Sequence, residues 1–250
     1  MNTDAKLLTA KINDLFTLCD KHCEPKFSGF LDGGEIAYIE DEIRFPYGYN
    51  TLVFGGYDGA ERAMLGVFPE WQEARTEDFP LCAARFDAPK FRALGHRDYL
   101  GTLMSLGIDR SKTGDILTDE DGAYVFVCAD IAEYVVRNIN KIANIGVKGH
   151  IVDMESFVPP EIKTSERMCV CASLRLDAVV AAALKLSRSD TEKLISGGCV
   201  KVNHRETLDR SKRINTGDLL SVRNHGRFIL KNTGNTTGKG RLHITVEKFV

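Results

Sequence analysis

Apolar residues recur with helical spacing at the start of the chain. Leu7, Leu8, Ile12, Leu15, Phe16 and Leu18 fall near a 3.6-residue period and predict an amphipathic helix. A second helix is expected over 34–43. Two apolar runs, 51–56 and 62–68, then flank Asp58-Gly59, a favourable hairpin turn because glycine accepts positive φ cheaply. From 82 to 153 the pattern reads strand, helix, strand, strand, helix, strand, over 82–86, 97–106, 114–117, 123–128, 131–142 and 147–153. The turn Thr-Asp-Glu-Asp-Gly at 118–122 joins the middle strands. That βαββαβ order suggests a ferredoxin-like or RRM-like sheet with helices on one face.

Pro159 and Pro160 disfavour helix and mark a linker. Beyond them, two helices are predicted over 175–186 and 189–196. Leu176, Val179, Val180, Ala183, Leu184 and Leu186 give the first an apolar stripe, and Leu194 and Ile195 bury the second. Ser187 or Ser189 can cap the second helix, and Gly197-Gly198 can end it. Val200 and Val202 alternate as in a strand, Asn203-His204 makes a turn, and Gly217-Asp218 makes another before a strand over 219–223. The polar segment 232–240 is expected to be a mobile loop. The fold class is therefore α+β in three small domains: an N-terminal α/β domain (1–80), the RRM-like domain (81–158) and a C-terminal module with strands (163–250).

Composition supports a globular chain. Of 250 residues, 43% are hydrophobic and 27% charged, which argues against disorder as the whole answer. No apolar run approaches the ~18 residues that span a bilayer, and charges interrupt the N-terminal stretch, so neither a membrane segment nor a signal peptide is expected. Seven cysteines without a CxxC pair fit a reducing compartment, and the chain is read as cytoplasmic and monomeric. Cys19, His22 and Cys23 have no second Cys/His pair at zinc-finger distance, so they are read as residues of a helix face and no metal is expected.

Charge changes the picture more. Residues 1–160 hold 16 Lys/Arg against 26 Asp/Glu, a net of −10, whereas 161–250 hold 17 against 9, a net of +8. A basic module on an acidic chain suits a polyanion partner. Its cations are Arg175, Lys185, Arg188, Lys193, Lys201, Arg205, Arg210, Lys212 and Arg213, expected to gather around the two helices and the first strand. Such a ridge suits structured RNA, gripped through phosphates and read by shape rather than base sequence.

The stretch 174–230 resembles the S4 RNA-binding domain. The matching elements, in order, are Arg175-Leu176-Asp177, Ser187-Arg188, Leu194-Ile195, Gly198, Val200-Lys201-Val202-Asn203 and Gly217-Asp218. His204 stands where glycine often follows the Asn. Residues 96–116, HRDYLGTLMSLGIDRSKTGDI, resemble the signature of the bacterial YlmH-like proteins, which join an N-terminal domain, an RRM-like domain and an S4 (αL-like) domain.

The resemblance implies a non-enzymatic, cofactor-free RNA-binding protein of the large ribosomal subunit. It would contact 23S rRNA and tRNA in the rescue of stalled 50S–peptidyl-tRNA complexes. Within it, Arg175 and Arg188 are the leading RNA contacts, followed by Lys201, Asn203 and Arg205, then Lys193, Arg210, Lys212 and Arg213. Asp177 would orient Arg175 or cap a helix, and Arg97 is a candidate contact in the middle domain.

Other signals point elsewhere. His96-Arg97-Asp98 matches a kinase triplet, but the chain lacks the Gly-rich loop and DFG that would accompany it, so it reads as a helix start with Asp98 in the first turn. Arg175-Leu176-Asp177 is similar to the catalytic triplet of pseudouridine synthases, yet too little chain follows it for a catalytic domain. An S4-type RNA-modifying enzyme and a cell-division adaptor are the competing readings. Tyr124 and Phe126 occupy the strand where RRM aromatics stack bases, but without the full motif they read as core. Trp71 is expected to anchor the edge of the N-terminal domain.

Overall fold

The structure is a computed structural model that describes residues 3–89, 94–161, 164–238 and 240–249. It resolves into two compact units, residues 1–160 and 161–250.

In the first unit, helix α1 (Thr3–His22) buries Leu8, Ile12 and Phe16 of the predicted stripe together with Cys19, and half-buries Leu15, whereas Leu7 and Leu18 are exposed. Strand β1 (Lys26–Phe27) and helix α2 (Gly33–Glu42) follow. A capping box starts α2: Asp32 accepts from the Gly34 and Glu35 N–H groups, while Glu35 accepts from the Asp32 N–H. Strands β2 (Tyr49–Phe54) and β3 (Met64–Pro69) form the expected hairpin in a sheet of order β1-β3-β2.

Next come β4 (Leu81–Asp87), α3 (His96–Ser105), β5 (Thr113–Asp119), β6 (Gly122–Cys128), α4 (Ala129–Asn138), a small hairpin of β7 (Lys141–Ile142) and β8 (Ile145–Gly146), and β9 (Lys148–Val152). The four long strands stand in the order β5-β6-β4-β9, each pair antiparallel, which is the ferredoxin-like arrangement. Helix α4 is shorter than expected. Ala143 and Asn144 take positive φ and turn the chain after Ile142, so Ile139 and Ile142 reach the core without continuing the helix. Asp98 does sit in the first turn of α3 and accepts from the Gly95 N–H.

One face of this sheet packs on α3 and α4 through Phe86, Leu103, Val125 and Val135. The other face meets Phe30, Met64, Phe68 and Phe79. That layer joins the stretches expected as separate domains, 1–80 and 81–158, within one compact unit. Gly56 makes the closest approach: it has φ +106°, and a Cβ there would lie 2.3 Å from the Phe126 ring. Trp71 departs from its expected anchoring role, being 74% exposed.

In the second unit, β10 (Thr164–Cys171), α5 (Leu176–Leu184), α6 (Arg188–Ser196), β11 (Val200–Val202), β12 (Arg205–Glu206), β13 (Leu219–Val222), β14 (Gly226–Thr236) and β15 (Leu242–Phe249) build a sheet of order β10-β15-β14-β13-β11-β12. Leu176, Val179, Val180 and Ala183 of α5 pack with Ile195, Val200, Leu220, Phe228 and Ile244. Of the segment expected as a mobile loop over 232–240, residues 232–236 are strand: Asn232, Thr233 and Thr236 pair with Thr245, Ile244 and Leu242, and register shifts absorb the irregularity. A loop reading fits its glycines, but a long partner strand satisfies its backbone groups instead.

Candidate nucleic-acid interface

The expected site residues lie mainly on the two helices of the second unit and the segment 205–214. Backbone pairing fixes this frame. Leu176 and Asp177 donate their N–H groups to the carbonyls of Lys212 and Arg210, at 2.9 and 3.2 Å, and Ile214 donates to Leu174 at 2.8 Å. The opening donors of α5 are therefore satisfied by the chain itself. At its other end Lys185 takes a left-handed conformation, and Arg167 donates to the Ala183 carbonyl. Ser187 is the N-cap of α6: its hydroxyl accepts from the Asp190 N–H, and Thr191 bonds back to its carbonyl. Gly198 closes α6 at φ +66°, where the left-handed region favours glycine.

Side chains then sort by pairing. Arg175 lays its fork on Asp177, Nε and Nη2 donating to the two carboxylate oxygens at 3.1 and 2.9 Å. Burial alone would raise the Asp177 carboxyl; the Arg175 fork and the Ala178 N–H hold it below its ordinary range. Arg210 bonds Glu192 at 2.8 Å and also lies within Coulombic reach of Asp177. Lys193 stands 3.9 Å from Asp190, a loose surface contact. Arg188 and Arg241 have no carboxylate partner among the described residues.

A groove of about 540 Å³ is lined by Ala178, Ala181 and Ala182 of α5 and by Arg175, Arg188 and Arg241, with Asp177 and Glu192 also in its wall. Arg241 was not legible as a site residue, because it follows a glycine-rich stretch in sequence. The β10–β15 pairing puts it there: Leu242 faces Cys171, so Arg241 arrives beside the turn that opens α5.

Of the expected residues of this unit, Arg175 and Arg188 line the groove, whereas Lys193, Arg210, Lys212 and Arg213 lie outside it and Lys201, Asn203 and Arg205 sit on the β11–β12 hairpin. Lys201 is exposed between buried Val200 and Val202, and Arg205 is exposed on the edge strand. Asn203 holds the turn: its amide donates to Asp218 at 2.8 Å and accepts from the Leu219 N–H at 2.9 Å. It and His204 both take positive φ, +49° and +65°. Arg213 is exposed and bridges Arg175 through backbone pairing, and Lys212 is half-buried beside it.

In the first unit, Arg97 is exposed on α3. The sheet face where an RRM stacks bases is closed. Phe126 is fully buried against Tyr57 and Phe157, and Phe157 also packs on Tyr124. Arg85, 7% exposed, lies over the Tyr124 ring and forks onto Asp119 at 2.6 and 3.0 Å, with Asp87 as a further partner. Burial works against that cation, but the carboxylates more than offset it, and Asp119 is held low chiefly by its Arg85 hydrogen bonds.

Comparison with known proteins agrees with this division. Residues 74–156 match the family model described as "Putative RNA-binding domain in YlmH", and residues 174–220 match the S4 domain. The chain is 36% identical over 225 residues to the ribosome-associated protein quality control protein P2 of Bacillus subtilis, across 89% of this chain and 87% of that one. A solved structure of cell division protein ylmH from Streptococcus pneumoniae shares the fold at 16% identity with a TM-score of 0.50, covering 62% of this chain and 94% of that chain.

Proposed function

Because the chain belongs to the YlmH family of ribosome-associated quality-control proteins, with an RNA-binding domain and an S4 domain, we propose that it is a non-catalytic factor that docks on structured RNA of the large ribosomal subunit. In this reading the second unit binds 23S rRNA and tRNA in stalled 50S–peptidyl-tRNA complexes, and no bond is made or broken.

The observation that carries it is the arginine-edged groove on a module of net charge +8. Arg175 is oriented by Asp177, and Arg188, without a carboxylate partner among the described residues, presents a fork that matches phosphate geometry. Lys193, Lys201, Arg205, Arg210, Lys212 and Arg213 supply the surrounding field, and Asn203 positions the hairpin that carries Lys201 and Arg205. Arg97 would add a contact from the first unit.

The test is gradient sedimentation of cell extract, with the wild type beside Arg175→Ala/Arg188→Ala. Wild type with the large subunits and the variant at the top supports the reading. Both at the top would overturn it in favour of a free-RNA enzyme or an adaptor.

A further inference from the structure

We propose that Arg241, at the start of the C-terminal strand β15, forms a phosphate subsite together with Arg188, so that the RNA surface extends past the S4 domain onto the β14–β15 hairpin. This rests on the RNA-binding reading of the same face and adds a residue to it. Arg241 lies beyond the 174–220 segment that matches the S4 domain.

Three observations converge. Arg241 edges the same groove as Arg188 and Arg175, although it comes from a distant part of the chain. Its backbone is fixed: Arg241 donates to the Thr237 hydroxyl at 3.1 Å, and the Thr237 N–H donates to the Arg241 carbonyl. The charges around it are unequally matched. Asp177 is taken by Arg175 and Glu192 by Arg210, which leaves Arg188 and Arg241 without a carboxylate among the described residues.

Arg188 and Arg241, two like charges lining one groove without a carboxylate partner among the described residues, favour an anion there. The backbone does not offer a rival anion site at the mouth of α5, since the first N–H groups there already meet Lys212 and Arg210 carbonyls. The occupant this chemistry selects is a backbone phosphate of an RNA strand lying along α5. Guanidinium forks hold phosphate in two-point contacts.

The experiment measures binding of a labelled RNA hairpin and of purified large subunits by Arg241→Ala, Arg188→Ala, their double variant and Arg223→Ala, an exposed arginine at the end of β13. Arg241→Ala should weaken binding about ten-fold and lower the salt slope by about one, at an unchanged melting temperature. Arg223→Ala should do far less. Because both forks grip one phosphate, the double variant should lose less than the product of the single losses.

The inference falls if Arg241→Ala matches Arg223→Ala while Arg188→Ala retains its loss; the RNA reading then stands without the hairpin. If Arg188→Ala is also silent on both ligands, the RNA reading of this face falls and the subsite with it. A simple product of losses in the double variant would separate the two arginines and overturn the shared phosphate.

Discussion

Arg85 and Arg188 are both arginines in domains matched to RNA-binding families, and their surroundings differ completely. Arg85 is sunk in the sheet face of the first unit, forked onto Asp119, paired with Asp87 and stacked on Tyr124. Arg188 stands exposed at the first position of α6 with no carboxylate among the described residues. The first is part of how its unit is held together; the second has hydrogen-bonding capacity left for something else. Matching a fold to nucleic-acid binding therefore does not say which of its faces is available. In the first unit the face an RRM would use is filled by Phe126, Tyr57 and Phe157. In the second, the arginine-edged groove is open.

The hardest test of that contrast removes Phe126. Phe126→Ala should cost about 4 kcal/mol of stability in a denaturant titration, because it leaves a cavity between aromatic layers. RNA affinity of the folded fraction should stay unchanged. An affinity loss as large as that of Arg188→Ala would mean the first unit's sheet face does bind.

Next in size is Arg85→Ala, expected to destabilise by about 2–3 kcal/mol, below the range for fully buried pairs because Asp87 is half-exposed. Its pH dependence sharpens the assignment. Asp119 is held low by Arg85, so its contribution is present above the ordinary aspartate pKa of about 4 and is lost as pH falls below it. In Arg85→Ala that acid limb should flatten. A limb of unchanged steepness would place the coupling elsewhere.

For the second unit the expectation reverses. Arg188→Ala should weaken RNA binding about ten-fold and shift stability by no more than ~0.5 kcal/mol. Wild-type affinity should fall steeply between ~50 and ~200 mM salt, and a flat response would remove the electrostatic account. The smallest effect belongs to His204→Gly. Relieving a positive φ of +65° should raise the melting temperature slightly, by up to ~1 kcal/mol of stability, leaving RNA affinity intact.

Local periodicity and turn chemistry determined much of this protein. The helix positions Leu8, Ile12 and Phe16, the βαββαβ order, a serine cap at 187 or 189 and the Gly197-Gly198 stop were all readable, because each depends on residues within a few positions of one another. The ordered motif from Arg175 to Asp218 likewise pointed to the S4 domain. The split of charge between the two parts was legible by counting.

What periodicity left open was set by pairing between distant segments. Strand β10 has no strong alternation of its own and exists through its partner β15. The polar stretch to Thr236 becomes strand for the same reason. Which arginines are matched by a carboxylate, as Arg85 and Arg210 are, or have none among the described residues, as with Arg188 and Arg241, depends on side chains brought together from far along the chain. Backbone hydrogen bonds and ion pairs are short-ranged, so their partners are chosen by the folded arrangement, and the composition of a segment cannot name them.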